Sequence, residues 1–277
     1  MNGHIIVIGA NGMLGHVVVK ELQQDYNVTG LTSAEFNILQ APLDTLSQYI
    51  NDETICVINC AGIIKPRIKN HTVEEVFKIN SWFPIMLSKY IDILNNDYTY
   101  NLNMIHISTD CVFTGKIGNY RSTDIPDAED IYGMSKSLGE ACMGDTTLVI
   151  RTSIIGEELN NKYSLLEWAK SQAGKEVQGW TNHIWSGVTT VQLAEYIRDL
   201  LNNSLDTNSY RDIVTYASEK INKYDLLKLI NEVYDLNLTI NACEGPSACD
   251  RSLVCDTWNP EDLKTQLKNL KEFFKNE

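Results

Sequence analysis

Tyr132 and Lys136 lie four residues apart, a spacing that places both side chains on one face of a helix. Their types suit the reduction of a carbonyl group, which needs a proton donor at the carbonyl oxygen, a cation that lowers the donor's pKa and a second donor to the same oxygen. Tyr132, Lys136 and Thr109 could fill these three roles. For tyrosine to ionise readily at neutral pH, its pKa would have to fall by about three units, and the charge of Lys136 could contribute to that.

Spacing alone does not select this tyrosine, because two further Tyr-Lys pairs, beginning at Tyr216 and Tyr224, have the same separation. Position in the chain favours Tyr132, which follows an apolar run ending in Ser108-Thr109-Asp110 in the half that is rich in such runs. We interpret Tyr216 and Tyr224 as packing and helix-surface residues. For Thr109 the alternative is a strand-end residue that caps a turn.

Three glycines at three-residue spacing, Gly9, Gly12 and Gly15, separate a short apolar run from an amphipathic stretch. Bare backbone in such a strand-to-helix turn can approach a diphosphate, and the start of the helix favours negative charge. The expected ligand is a dinucleotide, and the alternative is a glycine-rich turn needed only for packing. The predicted contacts are Gly9, Asn11, Gly12, Met13, Leu14 and Gly15.

The elements that must position these residues alternate in the first half of the chain. Apolar runs occur at 5–8, 54–59, 104–108 and 148–151, and helical patterns at 17–24, 76–94 and 131–143. This alternation predicts an α/β fold, a doubly wound parallel Rossmann-type sheet with a smaller C-terminal substrate-binding lobe. We predict a dinucleotide-binding domain from residues 1–155 plus about 187–215, with a helix starting near Thr190, and a lobe from about 156–186 plus 216–277.

Composition excludes several classes of protein. The chain has 277 residues, 43% hydrophobic and 21% charged, which suits a globular fold, and its formal net charge of −13 argues against a nucleic-acid surface. No apolar run is long enough to span a bilayer, so we expect no membrane partner. Seven cysteines without a C-x-x-C pair indicate reduced thiols and a cytoplasmic setting. Cys243, Cys249 and Cys255 match no usual zinc spacing, so no metal is expected.

The segment Thr29–Ser33 lies where the second strand should end and the adenosine ribose of a dinucleotide should bind. It contains no carboxylate that would repel a 2′-phosphate, and Thr32 and Ser33 could donate hydrogen bonds to one. The segment contains no arginine either. The sequence therefore favours NADPH (NADP) as the coenzyme.

Three segments, 106–115, 132–140 and 151–156, resemble the dTDP-4-dehydrorhamnose reductases of the extended short-chain dehydrogenase/reductase superfamily. The resemblance implies NADPH-dependent reduction of the C4 keto group of a UDP- or dTDP-linked 4-keto-6-deoxy-L-hexose in deoxysugar biosynthesis. In its sugar-facing segments the chain differs from these reductases and is similar instead to a subgroup that handles UDP-2-acetamido-2,6-dideoxy-L-hexulose, with a UDP-N-acetyl-L-rhamnosamine-type product. The base, the sugar and the oligomeric state, for which a homodimer is one option, stay open.

The resemblance also assigns residues. Catalytic roles fall to Thr109, Tyr132 and Lys136. Coenzyme contacts beyond the glycine turn fall to Thr32, Ser33, Asn37, Ile38, Cys60, Ala61, Gly62, Asn80, Tyr132 and Lys136. Substrate contacts fall to Lys65, Thr109, Asp110, Cys111, Trp180, Trp185 and Arg251, of which Arg251 could pair with the diphosphate. The alternatives are a solvated lysine for Lys65, core packing for either tryptophan and a surface arginine for Arg251.

Three other functions remain to be compared with reduction. A 4,6-dehydratase usually carries an Asp-Glu pair after the catalytic threonine, and here Cys111 follows Asp110, which argues against dehydration. An epimerase would need a further acid and base, for which Cys111 and His183 are available residue types. Regulatory subunits of methionine adenosyltransferase resemble these reductases, so a binding subunit without turnover is a third possibility.

Overall fold

Six parallel strands form the central sheet of the protein, whose computed structural model describes residues 3–98, 100–142, 144–160, 162–203, 212–256 and 260–275. With strands numbered in chain order, the sheet contains β1 (His4–Ile8), β2 (Asn27–Leu31), β3 (Thr54–Asn59), β4 (Asn103–Ile107), β5 (Thr147–Arg151) and β10 (Asp212–Thr215). Its order is β2-β1-β3-β4-β5-β10. The chain leaves β1 for β2 and returns to the other side of β1 as β3, which confirms the predicted doubly wound sheet.

The carboxyl ends of the strands meet at one edge of this sheet. Ile8 pairs with both Leu31 and Asn59, and Asn59 in turn pairs with His106. In doubly wound sheets, ligands bind at this edge near the point where the strand order reverses. The glycine turn, the segment after β3 and Thr109 after β4 therefore all start from the same edge.

Helices cover both faces of the sheet. Residues Ile5 and Val7 of β1 pack in one buried apolar cluster and Ile6 and Ile8 pack in another, so the strand is covered on both sides. The described helices are α1 (Gly15–Leu22), α2 (Val73–Phe77), α3 (Phe83–Tyr98), α4 (Ile131–Gly139), α5 (Leu165–Ser171), α6 (Thr190–Asn202), α7 (Lys223–Tyr234) and α8 (Leu263–Lys275). Short 3-10 helices span Leu43–Tyr49, Lys65–Asn70 and Asp110–Val112.

The helical pattern predicted at 76–94 is divided into α2, a π-helical turn at Lys78–Trp82 and α3. Pro84 explains the change, because proline has no N–H to donate to the carbonyl four residues earlier, that of Asn80. Gly139 of α4 packs against this carbonyl so closely that an added Cβ would overlap it. The π-helical turn therefore brings α4 close to the loop after β3.

Three small sheets of short strands, which the sequence did not predict, lie outside the large sheet in the described residues. They are β6 (Ile154–Ile155) with β9 (Val188–Thr189), β7 (Glu176–Trp180) with β12 (Thr239–Cys243), and β11 (Ile221–Asn222) and β13 (Cys249–Asp250) on either side of β8 (His183–Trp185). The helix predicted near Thr190 is confirmed as α6, where the Thr189 hydroxyl accepts from the Gln192 amide. The division into two domains stays a prediction, and residues 204–211 of its first part lie outside the described residues.

Two expected absences concern membranes and metals. In the described part of the chain, no helix is long and apolar enough to cross a membrane. The described histidine, cysteine, aspartate and glutamate side chains also form no cluster of three or more that could hold a metal ion.

Candidate active site

The turn between β1 and α1 accepts only glycine at two positions. Gly9 has a φ of 85°, a left-handed value, and a Cβ there would lie 2.8 Å from the amide nitrogen of Ala61. A Cβ on Gly15 would overlap the carbonyl oxygen of Gly9. The glycines therefore let α1 start directly against the ends of β1 and β3.

The start of α1 is free of side-chain capping, since Leu14 precedes it and no side chain accepts from its first turn. In contrast, Asp130 caps α4 and Asn222 caps α7. The first amides of a helix have no intrahelical partner and favour an anion. Asn11, Gly12 and Met13 form the exposed or half-exposed part of the turn before them. The Gly12 amide donates to the Gly9 carbonyl (3.0 Å), and the rest of this uncapped helix start fits a dinucleotide diphosphate.

The segment 29–33 at the end of β2 contains no carboxylate, but the side chain of Glu35 places one beside Thr32. Glu35 accepts hydrogen bonds from the Thr32 amide (2.9 Å) and from the Thr32 hydroxyl (2.6 Å). These bonds lower the pKa of Glu35, so its carboxylate is ionised at neutral pH. The Thr32 hydroxyl is thus engaged within the protein, whereas Ser33 is exposed. The sequence argument considered only 29–33 and missed Glu35.

Residues predicted to contact the adenine lie just beyond. The Asn37 side chain accepts from the Leu39 amide (3.0 Å), which leaves its amide nitrogen outside that bond. Ile38 is half-buried and lines a cavity of about 170 Å³ together with Trp82. The cavity has apolar walls, which is consistent with an adenine at this end.

The segment after β3 lies beside the predicted catalytic lysine. A Cβ on Gly62 would be 4.0 Å from the Lys136 Nζ, and the neighbouring Ala61 amide donates to Asn59 (3.1 Å). Burial raises the pKa of the Cys60 thiol to about 12, so it stays neutral. A Cβ on Gly62 would therefore make ordinary contacts with Asn80 and Lys136, which places this segment directly against the lysine.

Asn80, a predicted coenzyme contact, has its side chain occupied by the protein. Its amide nitrogen donates to the Ile63 carbonyl and to the Ser135 hydroxyl (both 3.0 Å), and its oxygen accepts from the Ile63 amide (2.8 Å). Both amide protons are used. Asn80 thus connects the loop after β3 to α4 and is placed to hold the site and not to bind a ligand directly.

The three predicted catalytic residues come together at the carboxyl end of β4. Tyr132 and Lys136 lie on α4, and Thr109 forms a hydrogen bond with Tyr132 that opposes the rise in the tyrosine's pKa. The Thr109 hydroxyl also lies 3.1 Å from the Asp110 carboxylate and accepts from the Cys111 amide (3.2 Å). To donate to a substrate oxygen, Thr109 would have to release Asp110.

Burial controls the charges of this group. It raises the pKa of Tyr132 well above its ordinary range, with Cys111 and Asp110 adding to the rise, so the phenol is protonated. The net shift of the Tyr132 pKa is therefore upward, and the expectation that the charge of Lys136 opposes this rise stays a prediction. Burial also lowers the pKa of Lys136 to about 8, against Glu140, which raises it. At neutral pH the site therefore holds a neutral phenol and an ammonium group.

A buried ion pair between Glu140 and Arg151 lies near Lys136. Glu140, one turn beyond Lys136, accepts from the Ser108 hydroxyl (2.6 Å) and from two nitrogens of Arg151 (2.9 Å each). Lys136 itself donates to the Ile107 carbonyl (2.6 Å). These contacts fix the lysine at the end of β4, and the sequence analysis did not identify Glu140 as part of the site.

On the substrate side, the structure brings Asp110, Arg251 and Lys65 to one area, since Arg251 interacts electrostatically with both Asp110 and Asp130. Asp110 and Arg251 lie near each other. Burial raises the pKa of Asp110, and the positive charge of Arg251 opposes this rise. Arg251 donates through Nε to the Phe113 carbonyl (2.8 Å). Lys65 is paired with Asp130 (2.8 Å), the capping residue two positions before Tyr132.

The two predicted tryptophans differ. Trp185 is only 5% exposed and its indole N–H donates to Ser153 (2.9 Å), so we assign it to the core and not to the ligand. Trp180 is 40% exposed and lines a cleft of about 990 Å³. His183, the residue weighed for an epimerase, packs against Trp180 and has its Nε2 2.8 Å from the Ser247 carbonyl oxygen, within hydrogen-bond distance.

Two cleft residues escaped the sequence analysis. Trp168 and Lys223 both line the cleft, and Lys223 also interacts electrostatically with Asp110 and Cys111. Trp168 lies in a segment that the resemblance places among the sugar-facing parts, without a contact assigned to it, and Lys223 lies next to a tyrosine that was interpreted as helix surface. The arrangement as a whole offers a protonated phenol, an ammonium group, an uncapped helix start and an adjoining cleft.

Comparison with known proteins agrees with this arrangement. Residues 3–253 match the model of the RmlD substrate binding domain family. The chain is 28% identical over 206 residues to the spore coat polysaccharide biosynthesis protein SpsK of Bacillus subtilis (72% of this chain, 70% of that protein). It is 25% identical over 252 residues to methionine adenosyltransferase 2 subunit beta of Danio rerio (84% and 74%).

Solved structures show the same fold. The dTDP-4-dehydrorhamnose reductase of Bacillus anthracis in complex with NADP superposes with a TM-score of 0.78 at 19% identity, covering 98% of this chain and 99% of that one. Because the family model covers most of the sequence, the chain belongs to the RmlD substrate binding domain family.

Proposed function

We propose that this protein reduces the C4 keto group of a nucleotide-linked 4-keto-6-deoxy-L-hexose with NADPH, in deoxysugar biosynthesis. The observation that carries the proposal is the protonated Tyr132 beside Thr109 and Lys136 at the carboxyl edge of the sheet. A UDP-linked 2-acetamido-2,6-dideoxy-L-hexulose, giving a UDP-N-acetyl-L-rhamnosamine-type product, is the substrate that the sequence favours, with dTDP-linked sugars as the other class.

In the proposed reaction, Tyr132 donates its proton to the carbonyl oxygen of the sugar. Burial disfavours the tyrosinate that remains, and the ammonium group of Lys136 offsets this cost by its charge. Thr109 donates to the same oxygen after its hydroxyl turns away from Asp110. When bound, the reduced coenzyme supplies the hydride, with its diphosphate at the start of α1 and its ribose near Lys136.

The preference for NADPH is the finer part of this proposal. The NADP-bound Bacillus anthracis structure supports it, because that protein has the same fold. The Glu35 carboxylate opposes it, because a negative charge at the end of β2 repels a 2′-phosphate. The ratio of kcat/KM with NADPH to that with NADH measures the balance of the two effects.

The test is coenzyme oxidation, followed by absorbance, with UDP- and dTDP-linked 4-keto-6-deoxy-L-sugars that carry or lack a 2-acetamido group. Tyr132→Phe should lower kcat by about 10²- to 10⁴-fold, the usual contribution of a positioned proton donor. Tyr216→Phe is the matched control, since Tyr216 has a lysine at the same spacing but stacks on Tyr196 in the core. Equal activity of Tyr132→Phe and the wild type would refute the assignment.

A second candidate function is a regulatory subunit of the methionine adenosyltransferase type. The similarity to the Danio rerio subunit extends over more of the chain than the similarity to SpsK, which favours keeping this candidate. Coenzyme binding without turnover of any keto sugar, together with binding to a methionine adenosyltransferase catalytic subunit, would favour it over reduction.

A homodimer stays a prediction, which sedimentation equilibrium would test.

A further inference from the structure

A cleft of about 990 Å³ opens beside the candidate active site, between the start of α5, strand β7 and the start of α7. Its volume suits a small-molecule ligand. Aromatic rings and side-chain amides dominate its wall, so a flat ring that also offers hydrogen-bonding groups would fit there. The lining includes Tyr163, Trp168, Trp180, Gln172, Gln178 and Asn241.

Lys223, the first residue of α7, lies where this cleft meets the catalytic group. It lines the cleft, and its ammonium nitrogen lies 5.5 Å from the centre of the Trp185 ring. Asp110 and Cys111, which follow Thr109 directly, act on the same ammonium group electrostatically. Lys223 therefore separates the aromatic cleft from the space beside Tyr132.

The charge around Lys223 is not balanced. Lysines nearby have carboxylate partners, Lys65 with Asp130 (2.8 Å) and Lys220 with Asp250 (3.5 Å). Among the described residues, Lys223 belongs to no ion pair. Its main carboxylate neighbour, Asp110, is buried and is also approached by Arg251. Arg251 also interacts with Asp130, whereas Asp110 is the carboxylate named among the charges that act on Lys223.

Burial without a paired anion is costly for an ammonium group, and it lowers the pKa of Lys223. An anionic ligand at this position would restore the favourable environment that water normally provides. In a nucleotide sugar, the strongly charged diphosphate lies between the nucleoside and the sugar. The cleft, Lys223 and Tyr132 follow each other in the same order.

We propose that Lys223, together with Arg251, binds the diphosphate of the substrate, with the nucleoside in the cleft and the sugar beside Tyr132. The inference rests on the proposed function, since it takes a nucleotide sugar as the substrate. It adds a specificity-determining residue, because an ammonium group placed between cleft and catalytic tyrosine selects diphosphate-linked sugars over free sugars and sugar monophosphates.

The test is the binding of UDP, dTDP, uridine and thymidine to the protein saturated with coenzyme, measured by calorimetry without turnover. Lys223→Gln should weaken UDP or dTDP binding by about 10- to 100-fold, the range for a charge-assisted hydrogen bond, and leave the nucleosides unchanged. Lys223→Arg should restore most of the loss. Lys228→Gln, on the exposed side of α7 and paired with Asp225 (3.2 Å), is the control.

Unchanged diphosphate affinity in Lys223→Gln, or an equal loss for nucleosides, would overturn the proposal. A wild type that binds neither UDP nor dTDP would also overturn it. The proposed function fails separately, when no keto sugar is reduced although the nucleotides bind. A second measurement uses the wild type and therefore does not depend on the folding of a variant. Bound UDP or dTDP should protect Lys223, but should not protect Lys228, from acetylation by acetic anhydride. Absence of protection at Lys223 would contradict the inference.

Discussion

Replacement of Lys136 by methionine should remove a pH-dependent cost to the free energy of unfolding and should abolish turnover. Lys136 is 5% exposed and its pKa is lowered to about 8, mainly by burial, from an ordinary value of 10.5. The folded protein therefore carries a penalty that is fully present below pH of about 8 and disappears as the pH rises towards 10.5. At pH 7 this penalty is about 3 kcal/mol of unfolding free energy.

The penalty cannot be measured at one pH, because the variant also loses the hydrogen bond from Lys136 to the Ile107 carbonyl, which costs about 1–3 kcal/mol. That loss is the same at every pH, so the change in the stability difference isolates the titration. Between pH 7 and about pH 10, the stability of wild type relative to Lys136→Met should rise by about 2.5 kcal/mol, as the wild-type lysine loses its proton.

Urea denaturation of both proteins across this range is the assay, with Lys228→Met as the control for an exposed lysine. The control should differ from wild type by a constant amount. A stability difference for Lys136→Met that is independent of pH, or that moves in the opposite direction, would refute a depressed pKa at Lys136. Turnover should be lost in the same variant, because the tyrosinate would no longer have a neighbouring cation.

Three further outcomes follow from other contacts. Glu140→Gln should destabilise the protein by about 3–5 kcal/mol in denaturant titrations, since it leaves the buried Arg151 guanidinium without its carboxylate, and a smaller loss in Glu140→Gln/Arg151→Met would show that the unpaired charge is the cause. Glu35→Gln should raise kcat/KM with NADPH relative to NADH a few-fold, and an unchanged ratio would mean that Glu35 does not face the ribose. Gly15→Ala should abolish coenzyme binding in fluorescence titrations and lower Tm, because its Cβ would overlap the Gly9 carbonyl oxygen; unchanged binding would contradict the tight turn.

The elements that the sequence predicted are those determined by local pattern. Runs such as 54–59 and 104–108 are mainly apolar because both faces of their strands are covered, and these runs coincide with β3 and β4 to within one residue. The glycine spacing located the turn before α1, and Thr189 located the start of α6. In each of these cases the deciding interactions lie within a few residues along the chain.

The features that the sequence did not reveal depend on contacts between distant segments. Strands of two residues, such as β6 and β9, have no periodic pattern of their own and exist because they pair across 34 positions, Ile154 with Val188. Lys223 becomes a site residue only because α7 begins beside Asp110, which is 113 positions away. For Trp185 the sequence left a ligand platform and core packing open, and the packing of the indole favours the core.

Glu35 shows why the local pattern also misleads at functional positions. The sequence argument looked for a carboxylate within Thr29–Ser33, where a strand of ordinary length would end. Glu35 returns to that place because the turn after β2 is tight: the Ala34 amide donates to the Thr32 hydroxyl (3.1 Å) and the Phe36 amide to the Thr32 carbonyl (2.9 Å). The predicted coenzyme contact at the end of β2 therefore depends on the geometry of this turn and not on the strand-end residues alone.

Charge is what favours turnover over binding alone. A subunit that only binds a dinucleotide would use the glycine turn, the start of α1 and Lys136 near the ribose, but it would gain nothing from the unpaired Lys223. Each of these cations is costly to bury. Residues that cost stability are retained where function uses them. Lys136 beside a protonated Tyr132, and Lys223 beside the cleft, are therefore better explained by a substrate that accepts a proton and carries a diphosphate than by a structural role.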